Sequence, residues 1–89
     1  MSFLFPPGQI VATPGAIEYR DQGVDLRALL KRHLQGDWGD LDNDDKKENE
    51  LSLKEGFRLL SSYNTKAGKL WVITEADRSA TTFLLPEEY

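Results

Sequence analysis

Hydrophobic positions along this chain change their period once. Up to residue 54 they recur at helical spacing, and from residue 57 they come in short β-branched and aromatic runs between polar turns. The clearest helical stripe is Leu26, Leu29, Leu30, His33 and Leu34, with Arg27, Lys31 and Arg32 on the opposite face. Asp25 suits its N-cap and Gly36 its stop. An earlier helix is predicted from Thr13 as N-cap and Pro14 at the first position, with Glu18 in its first turns. It runs to about Gln22, Gly23 closes it, and Ile17 is its inward residue. A third helix, Asn43 to Lys54, is capped by Asp42 and carries Asp44 and Asp45 in its first turn. Its apolar stripe is only Leu41, Leu51 and Leu53, so it should lie mostly exposed and end at Gly56.

Phe57–Tyr63, Leu70–Ala76 and Ala80–Leu85 read as an antiparallel meander, turning at 64–69 and at Ala76-Asp77-Arg78-Ser79. In the middle strand Leu70, Val72, Thr74 and Ala76 share one face, and Trp71, Ile73 and Glu75 the other. Both faces are partly apolar, so helices are expected on one side and the N-terminal arm or a second subunit on the other. Pro6-Pro7-Gly8 makes residues 1–8 an extended arm, and Gln9–Ala12 suits a short strand. Packed, Phe3, Leu4 and Phe5 extend the core; exposed, they offer a homodimer contact. The fold class is α+β: two to three helices on a small three-stranded meander, with a short N-terminal strand as an option. One domain covers 1–89, with its helical part at 13–54 and its meander at 57–86.

Composition removes several function classes. The chain has no cysteine, which excludes disulfides, thiolate zinc sites and cysteine nucleophiles. Its net charge is −4, and the acids concentrate between Asp37 and Glu50. That balance argues against ordinary nucleic-acid binding and leaves open a basic protein partner, a cation or nucleic-acid mimicry. Met1-Ser-Phe-Leu-Phe-Pro-Pro is too short and uncharged for a signal peptide, and no apolar run approaches a membrane span. A soluble cytoplasmic protein without membrane contact is the expectation. The alternating Asp40, Asp42 and Asp44 suggest a calcium loop, but Asp45 and Leu51 stand where its glycine and glutamate belong. No metal and no cofactor are assigned.

Candidate binding residues are His33, Asp37, Trp38, Asp40, Glu75, Asp77 and Arg78. His33 suits either a hydrogen-bonded core residue or a proton acceptor beside a carboxylate. In Gly36-Asp37-Trp38-Gly39-Asp40, the ring is either an interface anchor on a turn or a plug for the core, with the aspartates as turn caps. Arg78 either holds an anion or pairs with Glu75 or Asp77 on the surface. No nucleophile elbow, phosphate loop, paired-histidine helix or dinucleotide fingerprint is present, and no catalytic residue is assigned.

Ala12-Thr13-Pro14-Gly15-Ala16, Gly36-Asp37-Trp38-Gly39-Asp40-Leu41, Gly56-Phe57-Arg58-Leu59-Leu60-Ser61 and Trp71-Val72-Ile73-Thr74-Glu75-Ala76-Asp77-Arg78-Ser79 carry a resemblance. With Arg32-His33, Asn49-Glu50 and Leu85-Pro86-Glu87-Glu88-Tyr89, they resemble a family of short uncharacterised bacterial proteins. These are labelled plasmid-related or mobile-element proteins, sometimes a type I restriction enzyme subunit. The resemblance implies an accessory protein of a mobile element and no particular activity. Two function classes follow. One is a protein-interaction module using an acidic and aromatic surface around Asp37-Trp38. The other is a small enzyme, such as a toxin-like ribonuclease with His33 and Arg78 near the meander.

Overall fold

The computed structural model describes residues 3–89; Met1 and Ser2, the first positions of the expected arm, lie outside the described residues. The elements run β1 (Gln9–Ala12), α1 (Pro14–Asp21), α2 (Leu26–Leu34), α3 (Asn43–Glu55), β2 (Leu59–Thr65), β3 (Gly68–Thr74) and β4 (Ala80–Leu84), then a 3-10 turn at Pro86–Glu88. The class is α+β, but the sheet is mixed and has four strands. Its order is β1-β4-β3-β2, with β1 parallel to β4 and the other pairs antiparallel. A parallel pair joins strands far apart in sequence, so no local alternation announces it.

The three helix starts form as their cap residues dictate. The side chains of Thr13, Asp25 and Asp42 accept hydrogen bonds from the backbone N–H groups of Ala16, Ala28 and Asp45. Against expectation, Ile17 is not the inward residue of α1; it is exposed, and Gly15 and Ala16 are buried instead. Small side chains let this helix lie close to the chain after β4. There the Glu88 carboxylate accepts from the Thr13 hydroxyl at 2.6 Å and the Gly15 N–H at 2.9 Å.

One face of the sheet carries Leu59, Ser61, Tyr63, Leu70, Val72, Thr74, Thr81 and Phe83, all buried. Ala16, Val24 and Leu29 pack on Tyr63, Leu70, Val72 and Phe83, while Phe5, Leu34, Trp38 and Leu59 form a second cluster. The described part of the N-terminal arm therefore lies on the helical side, where it sends Phe5 into the core, and not on the opposite face. Phe3 and Leu4 stay exposed. On the opposite face Trp71 meets the Tyr89 ring edge-on at 5.8 Å, and Arg58 lies over that same ring.

The two sheet edges are treated differently. Along β2 the outward N–H groups of Leu60, Ser62 and Asn64 and the carbonyls of Leu60 and Ser62 are occupied. Asn49 of α3 donates to the Leu60 carbonyl at 2.5 Å and accepts its N–H at 3.1 Å. Ser62 bonds the Trp38 carbonyl and the Asp40 N–H, and the Asp40 carboxylate takes the Asn64 N–H. This close approach needs Gly39, whose φ is +77° and where a Cβ would stand 2.1 Å from the Ser62 oxygen. Replacing Asn49 by alanine leaves both Leu60 groups without partners. A loss of about 2 kcal/mol is expected, seen as a lower urea midpoint with an unchanged slope.

Candidate functional site

His33 sits at the centre of the molecule with no exposed surface. Its stripe position on α2 aims it at the sheet, where it meets hydroxyls from two strands and, through the second, one from a third. Nδ1 lies 2.5 Å from Ser61 Oγ and Nε2 2.9 Å from Thr74 Oγ1. Thr74 Oγ1 is 2.7 Å from Thr81 Oγ1, which donates to the Pro7 carbonyl at 2.7 Å.

The proton positions follow from the end of the chain. A carbonyl only accepts, so Thr81 spends its one proton on Pro7 and must accept from Thr74. Thr74 then accepts from His33 Nε2–H, which leaves Nδ1 to accept the Ser61 proton. The network thus joins α2, β2, β3, β4 and the arm in one directed series. Burial, reinforced by the Arg78 charge, pushes the His33 pKa down to about 3, so the ring is neutral at ordinary pH.

A serine donating to a histidine is the geometry of an activated nucleophile. Here both partners are fully buried. Phe5 meets the imidazole edge-on at 5.3 Å, and Trp38 does so at 5.8 Å. Nε2 is oriented by the Thr74 hydroxyl and not by a carboxylate, and Ser61 is closed off from solvent. The pair holds the fold together.

The other candidates are scattered. Trp38 is buried, with Nε1 donating to Glu50 at 2.7 Å, so it is the plug of the core and offers no surface anchor. Asp37 is exposed and pairs with Arg32 at 2.7 Å; that hydrogen bond holds its carboxyl below the usual range. Beside it, burial pushes the Tyr63 phenol up to about 12 as the phenol donates to the Asp37 carbonyl. Asp40 caps Asn64, Asp77 caps the Ser79 N–H, and Glu75 stands exposed.

Arg78 departs from the expected surface ion pair. Its guanidinium donates to the carbonyls of Phe57, Glu75, Ala76 and Ser52. The residue adopts φ +60°, a left-handed conformation costing an L-residue about 1 kcal/mol. The reward is a cation fastened on the carbonyl end of α3, which its charge suits. Phe5 lies between it and His33: the Arg78 guanidinium is 5.6 Å from that ring. The structure therefore brings His33, Trp38 and Arg78 around Phe5, and leaves Asp37, Asp40, Glu75 and Asp77 as turn and surface residues.

A more open surface lies at the other edge of the sheet. Gln9 N–H bonds Ser79 and Thr13 N–H bonds Phe83. With the period of a parallel ladder, the N–H and C=O groups of Ile10 and Ala12 face away from β4. Ile10 and Val11 are exposed. Beside them a groove of two adjoining cavities, about 550 and 220 Å³, runs between β1 and α2. Ala12, Leu26 and Arg20 line one end and Phe3, Lys31 and Leu34 the other, with Ile10, Arg27 and Leu30 shared. The only sequence signal for it was apolar residues in a strand that directly follows a proline-broken arm.

Among the described residues no three His, Asp or Glu side chains gather to hold a metal ion, and no helix is long and apolar enough to cross a membrane. Compared with known proteins, the chain matches no family model, no curated protein and no solved structure.

Proposed function

We propose that this protein is a small non-enzymatic interaction module that captures an extended segment of a partner protein as a further strand along β1. The observation that carries this reading is the contrast between the edges. Every outward group of β2 named above has a partner, whereas β1 offers free main-chain groups beside an apolar groove. An exposed apolar edge invites strand addition, in which main-chain bonds supply affinity and a side-chain groove supplies selectivity. The interaction surface thereby moves from Asp37-Trp38 to Ile10 and α2. The enzymatic alternative loses its support because His33 is sealed and Arg78 is engaged by carbonyls. The resemblance to plasmid and mobile-element proteins suits an accessory role of this kind in a bacterial cytoplasm.

Ile10→Pro tests the reading. The Ile10 N–H is not used by the native ladder, so proline is tolerated there while a donor needed for strand addition disappears. The expected result is an unchanged circular dichroism spectrum, with loss of a stoichiometric partner that the wild type retains from nuclease-treated host lysate. Retention of that partner by folded Ile10→Pro overturns the reading.

A further inference from the structure

We infer that the segment captured along β1 is acidic, carrying carboxylates two residues apart that meet Arg27 and Lys31; this rests on the edge-strand reading above. The groove has a direction. Leu26 lies by Ala12 and Leu34 by Phe3, so α2 runs antiparallel to the arm and β1 and presents its residues in turn along the groove. Arg27 and Lys31, one helical turn apart, both line it and both are exposed.

Among the described residues neither cation has a carboxylate partner. Among the described residues the ion pairs are Arg20–Asp21 and Arg32–Asp37. Asp25, the one acid lining the groove, is spent on capping the Ala28 N–H. In a protein of net charge −4, two uncompensated cations beside an apolar groove are a local reversal of sign. The acidic stretch that dominates the charge belongs to α3 and its approach, at the β2 edge.

Spacing fits an extended ligand. Residues four apart on a helix are separated by about 6 Å along its axis. Alternate residues of a strand, which share a face, are separated by about 6.6–6.8 Å. Two carboxylates on one face of an added strand therefore reach Arg27 and Lys31 together. Both cations line the groove, and long stems of this kind cover apolar surface while their charges stay at its rim.

Other occupants fit less well. A second copy pairing β1 with β1 about a two-fold axis sets each cation row against its own like. The acidic α3 of another copy is helical and has no free ladder to offer. An anionic membrane is held by larger basic clusters than this.

The deciding experiment selects a displayed library of random linear peptides on the intact protein, with Ile10→Pro for counter-selection. The expected winners carry Asp or Glu at alternate positions among apolar residues. A synthetic winner should bind the Arg27→Glu/Lys31→Glu double variant about tenfold more weakly, should weaken with added salt, and should bind Arg58→Glu as well as wild type. Neutral or basic winners that still depend on Ile10 overturn the acidic segment and leave the edge reading standing. No winner that separates wild type from Ile10→Pro overturns both. A dimer in sedimentation velocity that Ile10→Pro abolishes overturns the inference in favour of a second copy. Binding to phosphatidylserine vesicles, sensitive to the double variant and without any peptide winner, overturns it in favour of a membrane.

Discussion

Trp38→Ala is expected to lower the unfolding free energy by about 3–5 kcal/mol, the usual cost of emptying a large aromatic site in a core. The ring is 3% exposed and packs with Phe5, Leu34 and Leu59. It stacks on Phe5 at 6.4 Å, and its Nε1 donates to Glu50. Removing it also frees Phe5, which shields His33. A domain of this size has a total stability of about 4–13 kcal/mol at ordinary values per residue, so the loss removes a large share of it and unfolds the variant near room temperature at the lower end of that range. Trp38→Phe, which keeps most of the volume, should lose far less. Urea titrations by circular dichroism read both, and a loss below about 1 kcal/mol for alanine would show that the ring is not a core residue. The consequence for function is direct. Loss of partner binding in Trp38→Ala reports unfolding, and only an edge variant such as Ile10→Pro reports the interface.

Acidification should destabilise the protein from about pH 6.5 downward, well before its carboxylates titrate. In the unfolded chain His33 takes up a proton near pH 6.5, whereas in the folded protein its pKa lies at about 3. Between those values the unfolded state binds the extra proton, so stability is full above pH 6.5 and falls as pH drops toward 3. The slope is about 1.4 kcal/mol per pH unit and the whole window is worth about 5 kcal/mol. Asp37, whose carboxyl is held low first by its bond to Arg32, acts only below pH 4. The interval from pH 6.5 to 5 thus isolates the histidine. His33→Gln should be less stable at pH 7 yet lose the slope in that interval, as read from urea midpoints at successive pH values. A slope that persists in His33→Gln would show that another group produces it, and a wild type without a slope there would show that the imidazole is protonated in the native state.

Several elements were legible because their cause is local. Side-chain caps are bonded to N–H groups three residues on, so Thr13, Asp25 and Asp42 marked the helix starts. The stripe of α2 and the alternation of β3 expose their buried sides by period alone. Ile17 misled because hydrophobicity suggested an inward residue where the close approach of another segment demanded Gly15 and Ala16. Trp38 was left between two readings, because its flanking glycines and aspartates suit an exposed turn as well as a core plug; that turn lies against β2 and drives the ring inward. Arg78 was placed beside two acids in sequence, but a left-handed backbone turns it toward the carbonyls at the end of α3.

By itself the sequence determined which segments become helices and strands, that the class is α+β, and that no thiol chemistry is possible. Those outcomes depend on caps, periodicity and composition, all read within a few residues. Only the tertiary structure decided that β1 lies parallel to β4, that Phe5 and Trp38 close over His33, and that β2 and β3 supply its hydroxyl partners. It also decided which sheet edge is covered and which is left open. Such features join residues as far apart as Pro7 and Thr81, and their position is set by how the layers pack rather than by any preference of the residues themselves.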